Sequence, residues 1–275
     1  MVTTLIKHDV IRTRSLLLGA AGIAVAIATV LALSAWLIGG PLGQMSWVFG
    51  LVLTFGFLPL AQLWLGVDLY RSSFSKRGYF VQTLPMRGTA ILTAKYLWAL
   101  LVTVFALVVS IIVGTITAAG AAAVNSTSLQ ELWSVLNEAL RMLDLSPWVW
   151  WLVIFFFLVY LVQGVVQYYF CVALGSESWI NKLGGVGPIL VWVGLYVAFQ
   201  LLSLLSLFIP GSLVLGGGGV EFTWNSFFYP LVSDLAEGAE GAALFPVATI
   251  WVMLLALGVL VWRSYVSMGR KVDLR

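Results

Sequence analysis

The sequence predicts an all-α integral membrane protein, with six transmembrane helices preceded by an N-terminal interfacial amphipathic helix. Three observations carry that expectation. Hydrophobic residues make up 61% of the 275 and charged residues only 9%, against roughly 45–50% and about 25% in soluble globular chains. Charge is too sparse to cover a soluble surface. The apolar residues gather into six runs near the length needed to cross a membrane, about 20 residues for a hydrocarbon core of roughly 30 Å. The polar segments between those runs alternate in charge, basic on one side and acidic on the other.

The same arithmetic excludes intrinsic disorder, a disulfide-stapled secreted domain and a free nucleic-acid-binding module. One cysteine, Cys171, forms no internal disulfide, and with one histidine, His8, it cannot build a Cys/His metal site. His8 reads as an interfacial polar residue and Cys171 as a small buried hydrophobe. No metalloprotease-type H-E-x-x-H occurs.

The N-terminus opens with Val2, Leu5, Ile6 and Val10 at helical spacing, with Lys7, His8, Asp9, Arg12 and Arg14 around them. This predicts a short amphipathic helix over 1–15 in the cytoplasmic interface. The first span follows over 17–38. Its apolar run exceeds the roughly 7–15 residues of a signal-peptide core, so an uncleaved span is expected. Gly39-Gly40-Pro41 marks a turn, and the second span runs over 47–65. Pro59 within it frees a carbonyl at mid-membrane. The remaining spans are expected at 96–119, 149–174, 186–208 and 247–262.

Thirteen of the fourteen basic residues then fall on one side, leaving only Arg141 opposite, and seven of the eleven acids fall on the far side. The positive-inside rule puts both termini in the cytoplasm. Within the spans the polar residues are neutral: Thr54, Gln62, Gln163, Gln167, Gln200 and Ser203. They suit either interhelical packing or a water-accessible path. The nearest acid to a span is Asp68, three residues from Arg71 and placed for a helix-end ion pair. Without a carboxylate inside the spans, proton coupling is disfavoured.

Two extracytoplasmic segments stand out. Over 125–145, Leu129, Leu132, Trp133, Leu136, Leu140 and Leu143 form one helical stripe, and Ser128 with Glu131 has capping-box spacing. Over 210–246, a four-glycine run at 216–219 precedes an apolar stretch at 227–232 that is too short to span. A re-entrant or interfacial segment is expected there. The glycines lack the lysine and hydroxyl of a phosphate loop. No fixed-period repeat is visible.

The loop 71–95 reads RSSFSKRGYFVQTLPMRGTAILTAK. It resembles the first intracellular loop of type-2 ATP-binding-cassette (ABC) exporter permeases. Many of these carry a glycine-tyrosine-apolar stretch, then Leu-Pro, a basic or hydroxyl residue, and a lysine opening the third span. Here these are Gly78-Tyr79-Phe80, Leu84-Pro85, Arg87 and Lys95, while Arg71 and Ser72 stand where many relatives have an acid. The N-terminal helix, six spans, short loop after span four and long outer loop before span six extend the resemblance over the whole chain, 1–275, as one transmembrane domain.

The resemblance implies a bacterial cell-membrane exporter subunit, not itself an enzyme. Two permeases, alike or related, would pair around a central path, with two cytoplasmic ATPase subunits below. No Walker-type motif occurs in the chain, so ATP and magnesium would belong to the ATPase. The coupling loop would comprise Arg71, Lys76, Arg77, Gly78, Tyr79, Phe80, Leu84, Pro85 and Arg87. Its basic residues suit an acidic groove on the ATPase or anionic headgroups of membrane lipids. The path would be lined by spans two and five, at Thr54, Phe57, Gln62, Phe199 and Gln200. An uncharged aromatic bundle suits a hydrophobic or amphiphilic cargo: a peptide, antibiotic, drug or lipid. The alternatives are an ATP-independent transporter or channel, and a non-transporting scaffold or sensor.

Overall fold

The computed structural model describes residues 2–74, 88–142, 147–216, 219–227 and 243–270. Its helices are α1 (Val2–Ile38), α2 (Gly40–Leu69), α3 (Gly88–Val124), α4 (Leu129–Met142), α5 (Pro147–Gly175), α6 (Val186–Ser206) and α7 (Val247–Arg270). All but α4 are long and apolar enough to cross a membrane, so the chain is a multi-pass membrane protein. Their outward faces carry bare hydrocarbon, with Phe55 76% and Trp151 73% exposed. Such surface is stable against lipid and costly in water.

The break between α1 and α2 falls where glycine and proline predict it. Gly39 and Gly40 take φ of 60° and 54°, the left-handed region that glycine enters at no steric cost. Pro41 lies in the first turn of α2, where its missing N–H is no loss. Pro59 sits inside α2 without ending it. After Leu69 the backbone widens into one π-helical turn, Tyr70–Phe74.

The N-terminus differs from expectation. Residues 2–15 form no separate interfacial element; they are the opening turns of α1, a single helix of 37 residues. Their buried side is mixed. Asp9 and Thr13 are 4% and 3% exposed, Val2, Leu5 and Ile6 are half-buried, and Lys7, His8 and Arg14 are exposed along with Val10 and Ile11. The ion pair to Lys95 draws Asp9 inward.

The chain divides into two compact units, Met1–Leu140 and Arg141–Asp273. In the first, α1, α2 and α3 pack mutually. Small residues let them approach closely, as expected where lipid removes most of the hydrophobic drive between helices. A Cβ on Gly120 would lie 2.9 Å from Ala32 Cα, and one on Gly50 would lie 2.7 Å from Thr117 Cγ2. Ala24, Ala28, Val109 and Val113 form a core cluster with Phe57 packed against it.

At the far end of this unit the expected capping box opens α4. The Ser128 N–H donates to Glu131 Oε2 at 2.7 Å, and the Glu131 N–H donates to Ser128 Oγ at 3.1 Å. Leu129, Trp133 and Leu136 of α4 stay exposed, an amphipathic helix fit to lie in an interface.

In the second unit α5, α6 and α7 pack mutually. Val165, Tyr169, Val172 and Ala173 of α5 are buried, as are Leu257, Leu260 and Met268 of α7. The Ser267 hydroxyl donates to the Ala173 carbonyl at 2.9 Å. Cys171 is buried here, as its surroundings in the sequence suggest.

The segment before α7 adds a small sheet to the otherwise helical chain. Strands β1 (Ser212–Gly216), β2 (Gly219–Thr223) and β3 (Ala243–Pro246) form an antiparallel sheet in the order β2-β1-β3. Of the glycine run, Gly216 pairs with Gly219 between β1 and β2. Residues 217–218 and 228–242 lie outside the described residues, including most of the apolar stretch expected to be re-entrant or interfacial.

Candidate functional site

In the first unit, charged side chains from three helices meet at one end. Along α1, Leu5, Asp9, Arg12, Thr13 and Leu16 recur at helical spacing and so share a face. Asp68 comes from the last turn of α2, and Lys95 lies two turns into α3. Lys95 Nζ donates to Asp9 Oδ1 at 2.8 Å, with both side chains buried. Arg12 Nη2 lies 3.2 Å from the same oxygen and 2.5 Å from Asp68 Oδ2. One carboxylate oxygen thus takes two cations, and one guanidinium nitrogen takes two carboxylates. The chain of charge ties α3 to α1 to α2.

Two carboxylates against Lys95 and Arg12 sum to zero, which is what allows the cluster to be buried. An isolated buried charge would cost several kcal/mol. Asp68, expected at a helix-end ion pair, bonds across helices to Arg12. Around the cluster opens a cavity of about 410 Å³, with His8, Arg71 and Ser72 among its lining residues and Trp64 and Leu16 on its apolar side. The sequence reading places Asp9 among solvated interfacial residues, and so does not find this site. One signal was present: Asp9 is the only acid in the first 67 residues, three residues before an arginine.

The second unit holds its own buried charge pair. Glu177, just past α5, is 1% exposed. Arg263 Nη2 of α7 lies 2.5 Å from its Oε1, and the Trp179 indole N–H donates to Oε2 at 2.8 Å. Burial pushes the carboxyl upward, but Trp179, Arg263 and Ser267 outweigh it and hold Glu177 below its ordinary value. Among the described residues, no group of three or more His, Cys, Asp or Glu side chains could hold a metal ion.

Of the coupling-loop residues, Arg71 lies in the π-helical turn and borders the cavity. Lys76, Arg77, Gly78, Tyr79, Phe80, Leu84, Pro85 and Arg87 lie outside the described residues.

The suggested path residues divide between the units. On α2, Thr54 Oγ1 donates to the Gly50 carbonyl at 2.8 Å and lies 3.5 Å from Thr117 Oγ1 of α3. Phe57 packs on the core cluster and Gln62 is buried. On α6, Phe199 is buried and its neighbour Gln200 exposed, as consecutive helical residues point about 100° apart.

Comparison with protein-family models, curated proteins and solved structures finds no match to this chain.

Proposed function

We propose that the chain is the membrane-spanning permease subunit of an ABC exporter, coupled to separate ATPase subunits and exporting a hydrophobic or amphiphilic substrate. The observation that carries this reading is the length of the helices flanking the loop motif. From Gly40 to Phe74 the chain is helical for 35 residues, and α3 runs for 37. At 1.5 Å per residue these are about 52 and 55 Å long, against a hydrocarbon core of roughly 30 Å. Both therefore project well beyond the bilayer.

Their ends beside residues 75–87 are bonded to α1 through Asp68–Arg12 and Lys95–Asp9. A force applied to the loop would reach all three helices together rather than bend one. That is the mechanical requirement for converting closure of an ATPase pair into a change of access. Under this reading ATP and magnesium sit on the ATPase, two permeases pair in a bacterial cell membrane, and both termini are cytoplasmic.

The test is purification in mild detergent with the ATPase encoded nearest the gene. Co-purification of two ATPase chains per two permeases is expected, with hydrolysis responding to a hydrophobic or amphiphilic cargo. Reversing Lys76 and Arg77 to glutamate should abolish association while the permease stays folded. Solute movement in liposomes without any ATPase would overturn the reading.

A further inference from the structure

Three glutamines in the spans of the second unit make no hydrogen bond to a described residue: Gln163 and Gln167 of α5 and Gln200 of α6. The spans of the first unit meet the same need locally. Thr29, Thr54, Thr103 and Thr115 each donate to a carbonyl three or four residues earlier on their own helix. A glutamine amide has two N–H donors and an acceptor oxygen to satisfy, and in hydrocarbon an unmet polar group is costly.

Gln163 and Gln167 are half-buried and sit about one helical turn apart. At 3.6 residues per turn they share a side of α5 with Val153, Tyr160 and Gly164. Tyr160 is 62% exposed and Val153 45%. The side packed on α6 and α7 is a different one, carrying buried Leu161, Val165, Tyr169 and Val172. Gln163 lies about 18 Å from the nearer end of α5, at 1.5 Å per residue. In a hydrocarbon core of roughly 30 Å, headgroups are out of its reach.

We propose that this stripe is the contact between two copies of the chain, α5 against α5. An amide both donates and accepts, so the stripe is complementary to itself, as a two-fold interface requires. With the two-fold axis along the membrane normal, both helices cross in the same direction. Gln163 then meets Gln163, and Gln167 meets Gln167, at equal depth. Gly164 lets the two backbones approach closely. The threonine hydroxyls of the first unit have already given their protons to carbonyls, and Gln200 stands singly on α6, so neither offers a matching pair. The inference stands apart from the exporter reading, because the unmet amides are there whatever the chain transports. Its failure would leave that reading free to pair copies through another surface.

Reconstitution of the full chain in liposomes at decreasing density, read by energy transfer between labelled copies, measures the monomer–dimer equilibrium. Two-fold symmetry puts each substitution at the interface twice. Gln163→Leu should therefore weaken pairing about tenfold, and the variant with both Gln163→Leu and Gln167→Leu about a hundredfold. Leucine is at home in lipid, so these changes do not threaten the fold. Unchanged pairing would overturn the proposal.

In the otherwise wild-type chain, Val153→Cys and Tyr160→Cys should form disulfide-linked dimers when membranes are oxidised. Leu158→Cys and Val162→Cys, exposed on another side of α5, should not. Equal crosslinking from both sides would overturn the contact. So would reaction of Gln163→Cys with a charged, impermeant thiol reagent, which would place the stripe along a water-filled path instead.

Discussion

Replacing Asp9 with leucine removes the oxygen shared by Lys95 and Arg12, and the two cations fare differently. Lys95 is 6% exposed and lies 2.8 Å from Asp9. At an effective dielectric of about 20, that contact carries roughly 6 kcal/mol of Coulomb attraction before desolvation is counted. Arg12, with its side chain 35% exposed, keeps Asp68 and is partly screened by solvent. The dominant cost is therefore a buried ammonium without its carboxylate, about 3–5 kcal/mol. Lys95→Met should cost less, about 1.5–3 kcal/mol, because Asp9 retains Arg12. The double variant leaves neither charge stranded and puts apolar volume in their place. Its cost should stay near that of Lys95→Met alone, rather than reach the sum of the two. A double-mutant cycle measured by reversible unfolding in micelles reads this coupling, and hydrogen exchange over residues 2–16 reports whether the start of α1 has come loose. If the two effects add to within about 0.5 kcal/mol, the buried pair does not hold these helices together.

Three further outcomes follow from the packing and charge. Gly120→Val should destabilise the first unit by about 1–3 kcal/mol in the same unfolding assay, because its side chain meets the Ala32 backbone. Gly22→Ala, with open space around it, should be neutral or stabilising by up to about 1 kcal/mol. Glu177 is held below its ordinary value near 4.5. Its stabilising contribution is thus complete above that pH and is lost as the pH falls through the lowered value. Glu177→Gln should flatten that part of an acid-stability profile, and a profile unchanged by the substitution would argue against the Arg263 pair. Finally, the proposed topology expects cysteines at exposed Thr3 and Ser178 to resist an impermeant thiol reagent applied from outside, and one at exposed Ser128 to label. Labelling at Thr3 would reverse the topology, and buried Cys171 gives no background.

Where the helices lie was legible in the sequence because it depends on local quantities. The hydrocarbon core sets a length, apolar runs of that length announce themselves, and Gly39-Gly40-Pro41 or Ser128 with Glu131 act within four residues of chain. Which way each helix faces was not legible. A helix that is apolar on all sides carries little periodic signal, so the rotation that buries Gln62, or exposes Gln200, has no local cause to read. At the N-terminus the polar–apolar pattern was clear, yet one member departs from it. Lys7, His8 and Arg14 stay exposed while Asp9 faces the protein, because Lys95, 86 residues away along the chain, offers it a closer partner than solvent. The sheet escaped notice for the same reason, since β1 is stabilised by pairing with β3 across a long intervening segment. The sequence by itself determined the number of membrane-crossing helices and the apolar core of each, a contest between chain and solvent. Only the tertiary structure decided their faces and their ion pairs, because those energies belong to pairs of residues that meet after folding.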